Sequence, residues 1–270
     1  MPHNIAVKLH LPEDYREPAN VGQQLHGLFF YLLDLVDPVL SKKLHDNDGP
    51  AGFSLSGIQR LKLNGKICNW FRISTADDHL GRVANDSINQ VVSSAQELQL
   101  GQTGNVLLET FTSGDFSPHL STHYLSYEEL IQQAAHNEAI VLEFKTPTAF
   151  NISGKAKTLP DPSLCFKHYL RQWTTFDPGR FQQQEIKDLV NKFKNNIRVA
   201  EYSSQSRASC MKGYLQHGFV GAAIFELFEL DDETIHNINA LADFSFYCGT
   251  GYKTTMGMGQ TFRRHLDRFS

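Results

Sequence analysis

The chain has 270 residues, 41% of them hydrophobic, and a formal net charge of −4. That length suits two domains of about 130 residues each, and no run of about eighteen apolar residues marks a membrane span. The N-terminal Met-Pro-His-Asn-Ile-Ala-Val-Lys lacks the basic-then-apolar layout of a secretory signal, and Cys68, Cys165, Cys210 and Cys248 lack the close pairing of a zinc site, so a cytoplasmic protein with reduced thiols is expected.

Asn4–Pro12 alternates apolar and polar residues and reads as a strand. Val21, Leu25, Leu28, Phe29, Leu32 and Val36 recur at helical spacing up to Pro38, and a shorter helix is expected to run to about His45. Asp46-Asn-Asp-Gly-Pro50 is loop chemistry. Phe53–Leu63 and Lys66–Ser74 read as two strands of a hairpin turning at Asn64-Gly65. Asp77 and Asp78 suit the cap of a helix reaching about Asn89, and strands are expected near Glu97–Leu100 and Asn105–Thr112. The order β-α-β-β-α-β is the split βαβ unit of a ferredoxin-like fold.

Ser117–His136 holds a short helix and is expected to join the domains. The order then repeats. Glu138–Phe150 reads as a strand, Pro162–Trp173 and Phe181–Phe193 as helices, and Ile197 with Val199 opens the next strand. Gly213–Leu230 holds a long strand with a bend at Gly218-Phe-Val-Gly221, Asp232 caps a helix ending near Gly249, and a last strand lies around Gln260–Leu266. The expectation is an α+β chain of tandem ferredoxin-like (RRM-like, βαββαβ) domains: 1–116, a linker 117–136, and 137–270.

Between that last helix and strand lies Gly249-Thr-Gly251-Tyr-Lys253-Thr-Thr-Met-Gly257-Met-Gly259. Glycine brings backbone N–H groups close to a ligand, successive N–H groups form anion-binding nests, and Lys253 adds a positive charge. A dinucleotide fingerprint would need glycine where Thr254 stands, and a Walker A loop would need glycine directly before the lysine. The remaining readings are a phosphate cradle or a glycine-rich turn without a ligand. Net charge alone argues against a nucleic-acid binder, but its distribution is uneven. Residues 1–134 hold 9 Lys/Arg against 15 Asp/Glu, and residues 135–270 hold 16 against 14. The clusters Lys192/Lys194/Arg198, Arg263/Arg264/Arg268 and Lys155/Lys157 suit either a phosphate path or solvated surfaces.

Taken together, these motifs resemble the CRISPR-associated repeat-RNA endoribonucleases of the RAMP superfamily. The resemblance spans nearly the whole chain. It rests on the Gly-x-Gly, five residues with a lysine, Gly-x-Gly loop, with Leu142-Glu-Phe-Lys-Thr-Pro-Thr148, Leu159-Pro-Asp-Pro162 and Trp173, and Gly218-Phe-Val-Gly221. His26-Gly-Leu-Phe-Phe30, Asp37-Pro38 and Leu44-His45 are similar to the family's N-terminal helix, turn and histidine.

The resemblance implies metal-independent cleavage of CRISPR precursor RNA within repeats. The ribose 2′-hydroxyl attacks the adjacent phosphate, leaving 2′,3′-cyclic phosphate and 5′-hydroxyl ends. It implies no cofactor, repeat RNA and a CRISPR interference complex as partners, no membrane, and a monomer or weak homodimer. Such an enzyme must orient the hydroxyl, move protons and stabilise a pentacoordinate phosphate. His45 matches the family's catalytic histidine, at a helix end before a loop. His26, on an otherwise apolar helix, is the rival for that role. The family's tyrosine and lysine positions are occupied by Phe30 and Ala51; Tyr31 is the neighbouring tyrosine, and Lys42, Lys43 or Arg60 would have to supply the charge. RNA contacts are expected from Gly249, Gly251, Tyr252, Lys253, Gly257, Gly259, Lys155 and Arg263, with Tyr252 stacking on a base; alternation puts Arg263 and Arg264 on opposite faces. The competing readings are a repeat-RNA-binding scaffold with weak or no cleavage and a small-molecule phosphate enzyme, which no metal-spaced carboxylate or Cys/His set supports.

Overall fold

The computed structural model describes residues 1–12, 15–63, 65–111, 123–211 and 213–264. The chain opens with β1 (His3–His10), whose Ile5, Val7 and Leu9 enter a core with the helix that follows. That helix, α1 (Val21–Val36), buries Val21, Leu25, Leu28, Phe29, Leu32 and Leu33. It stops at Asp37, whose carboxylate accepts the Leu40 N–H at 2.9 Å and caps α2 (Pro38–His45), with Pro38 in its first turn. The expected strand Phe53–Leu63 is split into β2 (Phe53–Leu55) and β3 (Gln59–Leu63). Between them the Ser56 N–H donates to the Arg72 carbonyl and the Ser56 hydroxyl accepts the Arg72 N–H. β3 turns into β4 (Lys66–Thr75) with Leu63 opposite Lys66; Asn64 of that turn lies outside the described residues.

Asp77 alone caps α3 (Asp78–Ser94), accepting the Leu80 N–H at 2.7 Å. The helix passes the expected end at Asn89, and Val91 is buried in that extra turn. β5 (Leu98–Gln99) and β6 (Asn105–Thr110) complete a sheet of order β2-β4-β1-β6-β5, antiparallel at every pairing, which is the ferredoxin-like order. The segment read as a linker is built into the molecule. β7 (His123–Tyr124) pairs with β1, and α4 (Tyr127–Gln133) buries Tyr127 and Leu130 in the second core; residues 112–122 lie outside the described set.

The second unit repeats the order. β8 (Ala139–Thr148) leads to a small hairpin of β9 (Phe150–Ile152) and β10 (Lys155–Lys157), then to α5 (Pro162–Phe176) and α6 (Gln183–Asn195). The long strands β11 (Ile197–Met211) and β12 (Tyr214–Leu227) form a hairpin, and β12 shifts register against β8 between Phe219 and Gly221, where the bend was expected. α7 (Asp232–Cys248) is capped by Asp231 rather than Asp232, since the Asp231 carboxylate is the one that accepts the Thr234 N–H. β13 (Thr261–Arg264) closes a sheet of order β11-β12-β8-β13; residues 265–270, Arg268 included, lie outside the described set. The core between this sheet and its helices centres on Trp173, Tyr169, Phe166, Phe225 and Phe244. Among the described residues no helix is long and apolar enough to cross a membrane.

The two units meet through β4. Phe71 and Ile73 point into the first core, whereas Arg72 points the other way and is fully buried against the second unit. Its guanidinium carbon lies 3.9 Å from the ring centroid of Phe246 on α7 and 4.7 Å from that of Phe262 on β13. Nη2 donates to the Gln260 side-chain oxygen, and the Gln260 amide donates to the Leu55 carbonyl at 2.9 Å. The Ser54 hydroxyl donates to the Tyr247 carbonyl at 2.9 Å beside them. Among the described residues Nε and Nη1 have no hydrogen-bond partner. Burial pushes the pKa of Arg72 down to about 9, which leaves it a cation at neutral pH.

Arg263, expected at the RNA surface, is a structural strut instead. Its side chain is 3% exposed, with Nη1 3.0 Å from the Asp243 carboxylate and 3.1 Å from the Asn239 carbonyl. Strand alternation turns it inward under α7 and sends Arg264 to the opposite face, where it pairs with Glu143 at 2.9 Å.

Two stability measurements check these assignments. Arg72→Lys keeps the charge but loses the flat cation between two rings, and is expected to cost about 2 kcal/mol, read as a lower midpoint in denaturant. Arg263→Ala is expected to cost about 3 kcal/mol while leaving RNA affinity per folded molecule unchanged.

Candidate functional site

The glycine-rich loop starts where α7 ends and returns into β13. All four of its glycines have positive φ, from +67° to +83°, and Lys253 joins them at +60°. The strictest positions are Gly259 (φ +67°) and Gly251 (φ +81°), where a Cβ would overlap the Thr250 and Ala149 carbonyl oxygens respectively. The loop is closed by Thr250 N–H to Gly259 O at 2.7 Å, Gly259 N–H to Pro147 O at 3.0 Å and Tyr252 N–H to Ala149 O at 2.8 Å. The Thr250 hydroxyl lies 2.6 Å from both the Tyr169 and Thr261 hydroxyls, which anchors the loop to its own core.

These bonds divide the loop into two parts. Gly249 and Gly259 are buried, and their N–H groups serve Ser245 and Pro147, so they shape the loop rather than face a ligand. That corrects the expectation for these two glycines. Gly251, Tyr252 and Lys253 form the accessible arm: Tyr252 is 39% exposed, and among the described residues the Gly251 and Lys253 N–H groups donate to no backbone or side chain. The Lys253 ammonium stands 4.6 Å from the ring centroid of Tyr214 and 5.2 Å from that of Tyr252, and donates to the Tyr214 hydroxyl. Tyr214 begins β12 at the tip of the long hairpin. Lys155, exposed in β10, belongs to the small hairpin that starts beside Ala149.

The other half of the loop faces the N-terminal unit. Thr254–Met256 form a single 3-10 turn against the start of α1, and Gly257 lies against Gly22 and Gly57. Here His26 Nδ1 is 3.0 Å from the Thr255 carbonyl oxygen. The His26 ring is edge-on to Phe30 at 4.9 Å and stacked on Phe53 at 6.1 Å. His45, the exposed last residue of α2, meets the same Phe30 ring edge-on at 5.6 Å. Burial lowers the His26 pKa; the Thr255 bond works against that shift, and the nearby His45 adds to it. The structure thus brings His26, His45 and the glycine loop to one place, with Phe30 between the two imidazoles.

Other sequence candidates fall elsewhere. Tyr31 faces away from this group, and its hydroxyl accepts from the Gln96 amide at 3.1 Å, because one residue's step along a helix turns a side chain by about 100°. Ala51 is partly buried against the first core. Arg60 lines a separate cleft between the units with Trp70, Lys145 and Arg264. Lys42 and Lys43 are exposed on the last turn of α2, next to His45. Of the basic clusters, Lys192 is bonded to Asp231 and Thr234, Arg198 to Glu226 and Lys157 to Asp161. Sequence reading missed Tyr214 and the Thr255 carbonyl, because both depend on contacts across 39 and 229 residues of chain.

Comparison with known proteins finds one family along the chain. The family models for the CRISPR Cas6 N-terminal domain and for CRISPR-associated endoribonuclease Cas6 match residues 1–69 and 142–261. CRISPR-associated endoribonuclease Cas6 of Mycobacterium tuberculosis is 30% identical over 118 residues, 44% of this chain. The matched stretch spans 36% of that relative's length. A Cas6 product complex is 26% identical with a TM-score of 0.82, over 98% of this chain and 100% of the other. Thermus thermophilus Cas6 is 27% identical with a TM-score of 0.73, over 98% of each chain. With one family's models falling on both units, and its solved members matching the chain from end to end, this chain belongs to the family of CRISPR-associated endoribonucleases called Cas6.

Proposed function

We propose that this chain cuts CRISPR precursor RNA within its repeats without a metal or other cofactor, by attack of a ribose 2′-hydroxyl on the neighbouring phosphate. The observation that carries the reading is the convergence of His26 and His45 on Phe30 beside the glycine loop. The free N–H groups of Gly251 and Lys253, with the Lys253 ammonium, hold the RNA backbone. Tyr252 supplies a stacking face for a base, and Lys155 a further phosphate contact. His26, neutral through burial, takes the 2′-hydroxyl proton, and His45 protonates the departing 5′-oxygen. The products are a 2′,3′-cyclic phosphate and a 5′-hydroxyl, and the product passes to a CRISPR interference complex.

The deciding experiment incubates the protein with repeat RNA in EDTA, alongside RNA carrying one 2′-deoxy sugar upstream of the cut. Cleavage of the first to a cyclic phosphate, with the second left intact, is expected. Tight binding without cutting would mark a repeat-RNA-binding scaffold, for which Phe30 and Ala51 at the family's tyrosine and lysine positions are the supporting observation.

Two variants refine this. His45→Ala is expected to slow single-turnover cleavage by about 10²–10⁴-fold with RNA affinity retained. Lys253→Glu is expected to weaken RNA binding by about tenfold or more with the fold intact.

The pH profile tests His26. Its base form exists above a pKa held below the ordinary 6.5, so the acid limb of the cleavage profile should be centred below 6.5. An acid limb centred above 6.5 would rule His26 out as the base.

A further inference from the structure

The contact between His26 and the glycine loop has a direction. A carbonyl oxygen can only accept, so the 3.0 Å approach of Nδ1 to the Thr255 oxygen requires the proton on Nδ1. A neutral imidazole carries one ring proton, which leaves Nε2 with the lone pair. We propose that the glycine-rich loop of the C-terminal unit sets the tautomer of His26 in the N-terminal unit, through the Thr255 carbonyl, and so presents Nε2 as the proton-accepting nitrogen. The consequence for catalysis rests on the reading of His26 as the base; the tautomer itself does not.

Three features make this a built contact. First, Gly22 and His26 lie one turn apart on the same face of α1, and that face seats residues 255 and 256. A Cβ on Gly22 would overlap the Met256 carbonyl oxygen, so the spacing between helix and loop has no slack. Second, the turn is held from within by Met256 N–H to Lys253 O at 3.0 Å and by the left-handed Lys253 and Gly257 at its two ends. Third, Phe30 and Phe53 fix the plane of the imidazole, which opposes the ring flip that would put Cδ2 in place of Nδ1 against the Thr255 oxygen. Burial keeps the ring neutral near pH 7, the only state in which a tautomer is defined.

The same short turn therefore has two ends with two tasks. Lys253, at its start, faces the accessible arm where phosphate is held; Thr255, two residues on, faces the histidine. Thr255 is a positioning residue acting through its backbone, which explains why no side-chain pattern announces it.

The test is a long-range proton–nitrogen NMR spectrum of the imidazoles in the full chain without RNA, with His26 assigned by its loss in His26→Asn. The expected wild-type pattern at pH 7 is a protonated Nδ1 and a lone-pair Nε2. Gly22→Ala, which pushes the turn off α1, should lose that pattern. It should also slow single-turnover cleavage at saturating RNA by about 10²-fold. A wild-type His26 protonated on Nε2, or on both nitrogens, overturns the proposal. So does a folded Gly22→Ala protein that keeps the Nδ1–H pattern. Should Gly22→Ala fail to fold, the wild-type spectrum alone decides. A wild-type Nδ1–H pattern with full-rate cleavage by His26→Asn would uphold the tautomer assignment and refute His26 as the base.

Discussion

The docking of the glycine-rich loop against the N-terminal unit is the contact on which the rest of this molecule depends. Two ferredoxin-like units, each with its own core, have no intrinsic reason to hold one relative position. Here the choice is made by close backbone approach and by one buried cation. Gly22 abuts the Met256 carbonyl, and Gly257 lies against Gly22 and Gly57. A few residues along the chain, Gln260 bridges Arg72 and Leu55. Close packing of this kind transmits displacement instead of absorbing it. The position of the loop is therefore also the position of the imidazole it touches.

Arg72 makes that interface unusual in electrostatic terms. A buried guanidinium normally faces a carboxylate, yet this one lies between the rings of Phe246 and Phe262 and bonds to an amide. The ring quadrupoles stabilise the cation, and the planar group fits between them as an ammonium would not. Elsewhere the cations near carboxylates are committed: Arg263 holds α7 to β13, while Arg198, Lys157, Lys192 and Arg264 are paired on the surface. Lys253 stands out because its neighbours are the rings of Tyr214 and Tyr252 rather than an acid. A cation held that way keeps its charge available to a phosphate.

Much of this architecture is legible in the order of the residues. The two βαββαβ units, the extent of α1, the cap at Asp77 and the end of α2 at His45 all follow from apolar periodicity, proline position and capping residues. These are local rules acting within a few residues. Departures arise where local rules compete with long-range packing. Ser56 interrupts a strand because it bonds to Arg72 in β4. Asp231 takes the cap that Asp232 was expected to fill. The segment expected as a linker pairs with β1 and enters the second core, which composition gives no sign of.

The residues by themselves determined the fold class, the glycine loop with its lysine, and the pair of candidate histidines, since each is a matter of residue type and spacing along the chain. Only the tertiary structure decided which of these come together. It buried Arg263, turned Tyr31 away from the site, and reserved Gly249 and Gly259 for shaping the loop. It also set His26 against a carbonyl 229 residues distant. The physical reason is that availability to a ligand depends on which hydrogen bonds and which solvent a group has left after folding. That remainder is fixed by contacts between segments far apart in the chain.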